Sequence, residues 1–110
     1  MKKVKIVRKT TDYSRIINKK QRVVSDLFSI FREPNNLSYN RYGVTVPTKL
    51  INAVGRNKIK RQIKSIIDNN EKEFKLAYDY VIIIRKGILN SSYKEMEEDL
   101  IKTFKKVKGD

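Results

Sequence analysis

Between Glu33 and Asp68 the chain carries no carboxylate, and within that span isoleucines recur at Ile59, Ile63, Ile66 and Ile67. At about 100° per residue these four cluster on one side of a helix, whereas Asn57, Arg61 and Lys64 fall opposite and Lys60 lies on the flank. Asn52 is placed to cap the helix start, and the pattern predicts a helix running to about Asp68 and ended by Asn69-Asn70. Arg56 lies near the apolar side but in the first turn, so it is expected to project toward the edge of a neighbouring layer. A helix of this kind must lay its isoleucines against other apolar elements, and it offers its cationic side to a polyanion.

The other layer is legible in the remaining patterns. Asp79 to Arg85 is a short, continuously apolar run rich in branched residues, the mark of a central strand. Val23 to Arg32 alternates, with Leu27, Ser29 and Phe31 on one face and Phe28, Ile30 and Arg32 on the other, and reads as one strand covered on both sides. Glu33-Pro34-Asn35-Asn36 has turn chemistry, because proline presets one dihedral and asparagine tolerates the left-handed one. A hairpin is expected from there into Tyr39 to Val46, with Tyr42, Val44 and Val46 sharing a face and Pro47 ending the strand.

Two further helices complete the order. Asp12 is placed to cap a short one bearing Tyr13, Ile16, Ile17 and Lys20 at helical spacing. Ser92 and Glu95 form a capping-box signature for a last helix whose Tyr93, Met96, Leu100, Ile101, Phe104 and Val107 recur as a core-packing stripe. The resulting order is helix, strand, strand, helix, strand, helix: an α/β (α+β) two-layer sandwich with a central mixed sheet. A single domain over residues 1–110 is expected, with residues 1–9 as a flexible basic arm.

Charge and composition narrow the function. A formal net charge of +14 on 110 residues exceeds what solubility requires and points to a polyanionic partner, with nucleic acid first. The chain has no cysteine and no histidine, which removes the usual ligands of a zinc site and the commonest general base. The acids gather at Glu71 and Glu73 and from Glu95 to Asp99, the latter at a helix start, where they complement the helix dipole rather than assemble a metal-dependent nuclease. Residues 1–9 do not form a secretory signal, no apolar run is long enough to cross a bilayer, and a cytoplasmic location is expected. Aromatic residues interleave with the cations, and Tyr13 and Phe31 are expected to be exposed for stacking against RNA.

The segment Lys49, Ala53-Val54, Arg56-Asn57 and Lys60-Arg61 resembles the signature of the protein subunit of bacterial ribonuclease P. The likeness extends to Asp12-Tyr13 with Ile16-Ile17, to Arg41–Val46 and to Asp79–Lys86. It implies a ribosomal-protein-like sandwich with a left-handed β-α-β crossover and a four-stranded sheet, one strand more than the patterns yield. It also implies the partners: a catalytic RNA subunit, assisted by this protein in the endonucleolytic removal of the 5′ leader from precursor tRNA, with magnesium bound mainly by the RNA and no catalytic residue on the protein.

On this likeness Lys49, Arg56, Asn57, Lys58, Lys60, Arg61 and Lys64 form the RNA-binding surface. Tyr13, Ile17 and Phe31 line a leader-binding cleft. Lys58 and Lys64 stand where arginine is usual, keeping the charge but losing the bidentate fork, and Ile51 stands where glycine is common. The alternative from another class is a ribosomal or other structural RNA-binding protein without a processing role.

Overall fold

The computed structural model describes residues 16–17, 22–74 and 76–106. Its sheet has four strands: β1 (Arg22–Val24), β2 (Phe28–Pro34), β3 (Arg41–Thr45) and β4 (Tyr78–Ile84), in the spatial order β1-β2-β4-β3. β4 pairs antiparallel with β2 and parallel with β3, so the sheet is mixed and β4 lies inside it. Between β3 and β4 runs α1 (Ala53–Asn69), and α2 (Tyr93–Lys106) follows β4 after a short 3-10 turn over Lys86–Asn90.

Two sequence expectations are corrected here. The segment expected as one strand over Val23 to Arg32 is a hairpin of β1 and β2. Ser25 makes the turn: its Oγ accepts from Leu27 N at 3.2 Å and Phe28 N at 3.1 Å, and its own N–H donates to Phe28 O at 2.8 Å. A serine hydroxyl that satisfies two backbone donors competes effectively with a continuing ladder, and this hairpin supplies the fourth strand. The second correction concerns β2 and β3, which are not a hairpin. β4 inserts between them, and its apolar side chains are covered on both faces, with Val81 and Ile82 fully buried. Such a strand gains most from a central place.

The register divides the side chains cleanly. Phe28 and Ile30 of β2, Tyr42 and Val44 of β3, and Tyr80, Ile82 and Ile84 of β4 point to the helical side. There they meet Ile59, Ile63, Ile66 and Ile67 of α1 and Met96, Leu100 and Phe104 of α2. Phe74, which no periodic pattern singled out, packs against Phe104 with ring centroids 4.1 Å apart and edge-on to Tyr42. Tyr42 in turn stacks on Tyr80. Burial pushes the Tyr42 phenol well above its ordinary range, although the Asn40 side-chain amide, which donates to its oxygen at 3.1 Å, pulls the other way.

The opposite sheet face carries a smaller apolar cluster of Ile16, Phe31 and Val81, with Ile83 at its side. Ile16 and Ile17 are helical. The rest of the expected first helix, Tyr13 included, and the basic arm of residues 1–9 lie outside the described residues.

The local devices follow from residue chemistry. Asn36 takes φ 60°, and Asn35 Oδ1 accepts from Leu37 N at 2.8 Å, so the turn forms as its asparagines suggest. Ser92 and Glu95 cap α2 reciprocally: Ser92 N donates to Glu95 Oε1 at 2.9 Å and Glu95 N to Ser92 Oγ at 3.2 Å.

Candidate nucleic-acid interface

The helix that carries the cations is built as its sequence dictates. Asn52 caps α1, its Oδ1 accepting from Gly55 N at 2.9 Å, and Asn70 closes it, donating from its backbone to Ile67 O and from its side chain to Ile66 O. With the four isoleucines buried, Asn57, Lys58 and Arg61 are exposed, and Lys60 and Lys64 are half-buried on the flank. No acid precedes Asp68 on the helix, so the positive potential along it is not neutralised locally.

Arg56 stands apart from the other cations. Its Nη1 donates to Ile51 O at 2.7 Å and to Thr48 O at 3.3 Å, tying the Pro47–Asn52 loop to the first turn of α1. The loop also carries exposed Lys49. Arg56 therefore joins Lys49 to the helix while remaining half-exposed itself. The nearby Ile51 is accommodated by Gly55. A Cβ at position 55 would overlap Ile51 Cδ1 and lie 2.6 Å from its Cγ1. A bulky residue at 51 thus requires its neighbour on the first turn to be small.

The described cleft residues, Ile17 and Phe31, lie on the other side of the sheet from α1, apart from the cations of that helix. Phe31, expected to be exposed for stacking, is only 6% accessible. It packs against Ile16 and Val81, and therefore forms the floor of that face rather than a free ring. Ile17, 37% exposed, is the described candidate that reaches solvent there. On the same face Arg41 holds the buried Asp79, with Nε donating to Oδ1 at 2.8 Å and Nη2 to Oδ2 at 2.5 Å. Asn35 Nδ2 adds a bond to Asp79 Oδ1 at 3.0 Å.

Glu95, Glu97 and Asp99 of α2 are occupied structurally. Asp99 accepts from Ser25 Oγ at 2.7 Å and from Thr103 Oγ1 at 3.0 Å. Glu95 takes part in the capping box, and its bonds from the Ser92 backbone and then the Ser92 hydroxyl hold its carboxyl below the usual glutamate range. Among the described residues no group of three or more Asp, Glu, His or Cys is arranged to hold a metal ion. Among the same residues no helix is long and apolar enough to cross a membrane.

Sequence reasoning missed two features. Tyr93, assigned to the core stripe of α2, is 38% exposed, and its hydroxyl donates to Ser65 Oγ on α1 at 3.0 Å. Helical periodicity counts a tyrosine as apolar and does not register the polar end that draws it outward. The Arg41–Asp79 pair joins two strands far apart in the chain, and a single sequence offers no signal for it.

The comparisons with known proteins agree with this architecture. The family model described as Ribonuclease P matches residues 1–108. The ribonuclease P protein component of Mycoplasma mycoides subsp. mycoides is 37% identical over 98% of this chain and 100% of its own length. That of Streptococcus gordonii is 39% identical over 98% of this chain and 90% of its own. Among solved structures, the Staphylococcus aureus RNase P protein superposes with a TM-score of 0.85 at 30% identity, covering 94% of this chain and 96% of that one. The Thermotoga maritima protein gives a TM-score of 0.86 at 25% identity, with coverage of 94% and 98%.

Proposed function

The chain belongs to the ribonuclease P protein family, the protein components of a ribonucleoprotein endoribonuclease that processes precursor tRNA, and we propose how its two surfaces divide that work. Lys49, Arg56, Asn57, Lys58, Lys60, Arg61 and Lys64 contact the catalytic RNA. Ile17 and Phe31, with Tyr13, line the cleft that receives the 5′ leader. The observation that carries the reading is α1 itself: a helix pinned to the sheet by four isoleucines, with a cationic side that meets no acid before Asp68 held outward. Neutralising phosphates along that side releases counterions, which supplies affinity without requiring base contacts.

Arg56 has a double part in this scheme. It organises the Lys49 loop through two backbone carbonyls and keeps part of its guanidinium accessible to phosphate. On the cleft side, apolar floor residues suit the sugar and base edges of a single-stranded leader better than its phosphates. Phe31 then contributes shape and exclusion of water, and Ile17 contributes apolar contact.

The ribonucleoprotein needs metal ions. Asp79, Glu95, Glu97 and Asp99 are committed to hydrogen bonds, and among the described residues no group of three or more acids is arranged to hold a metal ion, so the donor set does not fit a resident metal site. We assign magnesium to the RNA, and no step is routed through this chain. The protein then acts as a single RNA-binding domain in the cytoplasm, lowering the electrostatic cost of bringing RNA to RNA.

Reconstitution tests the reading. The purified chain is added to its cognate catalytic RNA and a precursor tRNA, and leader release is followed as magnesium is lowered. The protein alone is expected to release no leader, and its addition to the RNA is expected to reduce the magnesium required. Cleavage by the RNA that is indifferent to the protein would remove the processing role and favour a structural RNA-binding protein.

A further inference from the structure

Tyr93 opens α2, yet its side chain does not enter the core. Its backbone position is set by the Ser92–Glu95 capping box, and its hydroxyl is fixed 3.0 Å from Ser65 Oγ, so the ring is held at both ends while 38% of the residue stays exposed. Ser65 belongs to the outer stripe of α1. Counting back by four, three and four residues from Ser65 reaches Arg61, Lys58 and Val54, all exposed and all on the side opposite the buried isoleucines. Val54, 80% exposed, lies at the far end of the stripe. A pinned aromatic ring therefore stands at one end of a cationic row and a bare aliphatic group at the other.

We propose that Tyr93 is a stacking platform for an unpaired nucleotide of RNA, positioned by Ser65, with Arg61 and Lys58 engaging the adjoining phosphates. The inference rests on the RNA-binding role assigned to α1 and extends it onto α2. The chemistry selects this occupant. A ring beside cations is matched by a polyanion whose bases are free to stack, whereas a duplex keeps its bases stacked internally and offers only its backbone. Prior fixation of the ring lowers the ordering cost of the contact, because the side chain gives up little freedom on binding. Stacking of this kind is tolerant of base identity, so the contact favours unpaired over paired RNA without choosing a sequence.

The chain has no tryptophan, so Tyr93→Trp introduces a single fluorescent reporter at the platform. Emission is expected to be quenched when the full-length variant is titrated with a single-stranded oligoribonucleotide, and to be little changed by a blunt RNA duplex of equal length. Tyr93→Ala is expected to weaken single-strand binding about tenfold with an unchanged salt dependence. Tyr93→Phe retains the ring and most of the affinity, and Ser65→Ala falls between. A silent tryptophan while the single strand binds would overturn the proposal. Equal quenching by the duplex, or by an acidic peptide, would do the same. Stimulation of leader cleavage is measured on the same preparations. Normal stimulation with a silent reporter defeats this inference alone, whereas absence of both RNA binding and stimulation defeats the reading beneath it.

Discussion

Arg41 grips Asp79 through two parallel hydrogen bonds across the β3–β4 pair, and the Asp79 side chain has no solvent exposure while the Arg41 side chain keeps 27% of its own. The two residues are directly opposite in the parallel register. Removing Arg41 would take the bidentate cationic partner from a fully buried carboxylate, with the Asn35 amide among the contacts that stay. Arg41→Ala is therefore expected to cost about 3 kcal/mol in denaturant unfolding. Asp79→Leu combined with Arg41→Met should recover most of that loss, since the principal penalty is a buried carboxylate deprived of its bidentate cation rather than the missing pair itself. A double variant as unstable as Arg41→Ala would refute this account.

Much of the helical layer was legible because its signals are local. The cap at Asn52, the isoleucine stripe, the end at Asn70 and the Ser92–Glu95 box all lie within a few residues of what they control. The sheet was harder to read for the same reason. β4 takes the centre through its pairing with strands far away in the chain, and the Ser25 turn hides in a run whose alternation continues through it. The site divided along the same line: the exposure of Asn57, Lys58 and Arg61 follows from the helix period, whereas Phe31 lost its exposure to Ile16, which arrives from another element.

Gly55 and Ile51 offer a test of local compensation. Alanine is ordinarily preferred to glycine in a helix by up to about 1 kcal/mol, yet a Cβ at 55 would run into the Ile51 side chain. Gly55→Ala alone is expected to be neutral or slightly destabilising. In an Ile51→Ala background the same change should stabilise by about 0.5 kcal/mol. Thermal unfolding of the four proteins in the cycle measures the coupling, and strict additivity would show that the two side chains do not compete.

Glu95 gives the stability a defined pH dependence. Its folded carboxyl lies below the usual glutamate range because the Ser92 backbone and hydroxyl donate to its charged form. A group depressed in this way contributes stability that is present above its unfolded pKa and is lost as pH falls through the folded one. Ser92→Ala should raise the Glu95 midpoint in an NMR titration and flatten the acid limb of stability over that window. The backbone bond remains in this variant, so only part of the depression should disappear.

Arg56 and Arg61 are close on one helix, but their surroundings predict different phenotypes. Arg61 is exposed, so Arg61→Ala should leave the unfolding midpoint unchanged. It should also reduce the slope of log affinity against log salt by about one unit for the lost phosphate contact. Arg56 is committed to Ile51 O and Thr48 O, so Arg56→Ala should release the Pro47–Asn52 loop and cost about 1 kcal/mol in stability. Lysine at 61 should restore most of the salt dependence, since a point charge suffices there. At 56 a lysine cannot reproduce the planar donor geometry and should not restore amide protection of the loop in hydrogen exchange. Identical behaviour of the two alanine variants in both assays would mean that Arg56 is an ordinary surface cation and that the loop is held by the Ile51–Gly55 packing alone.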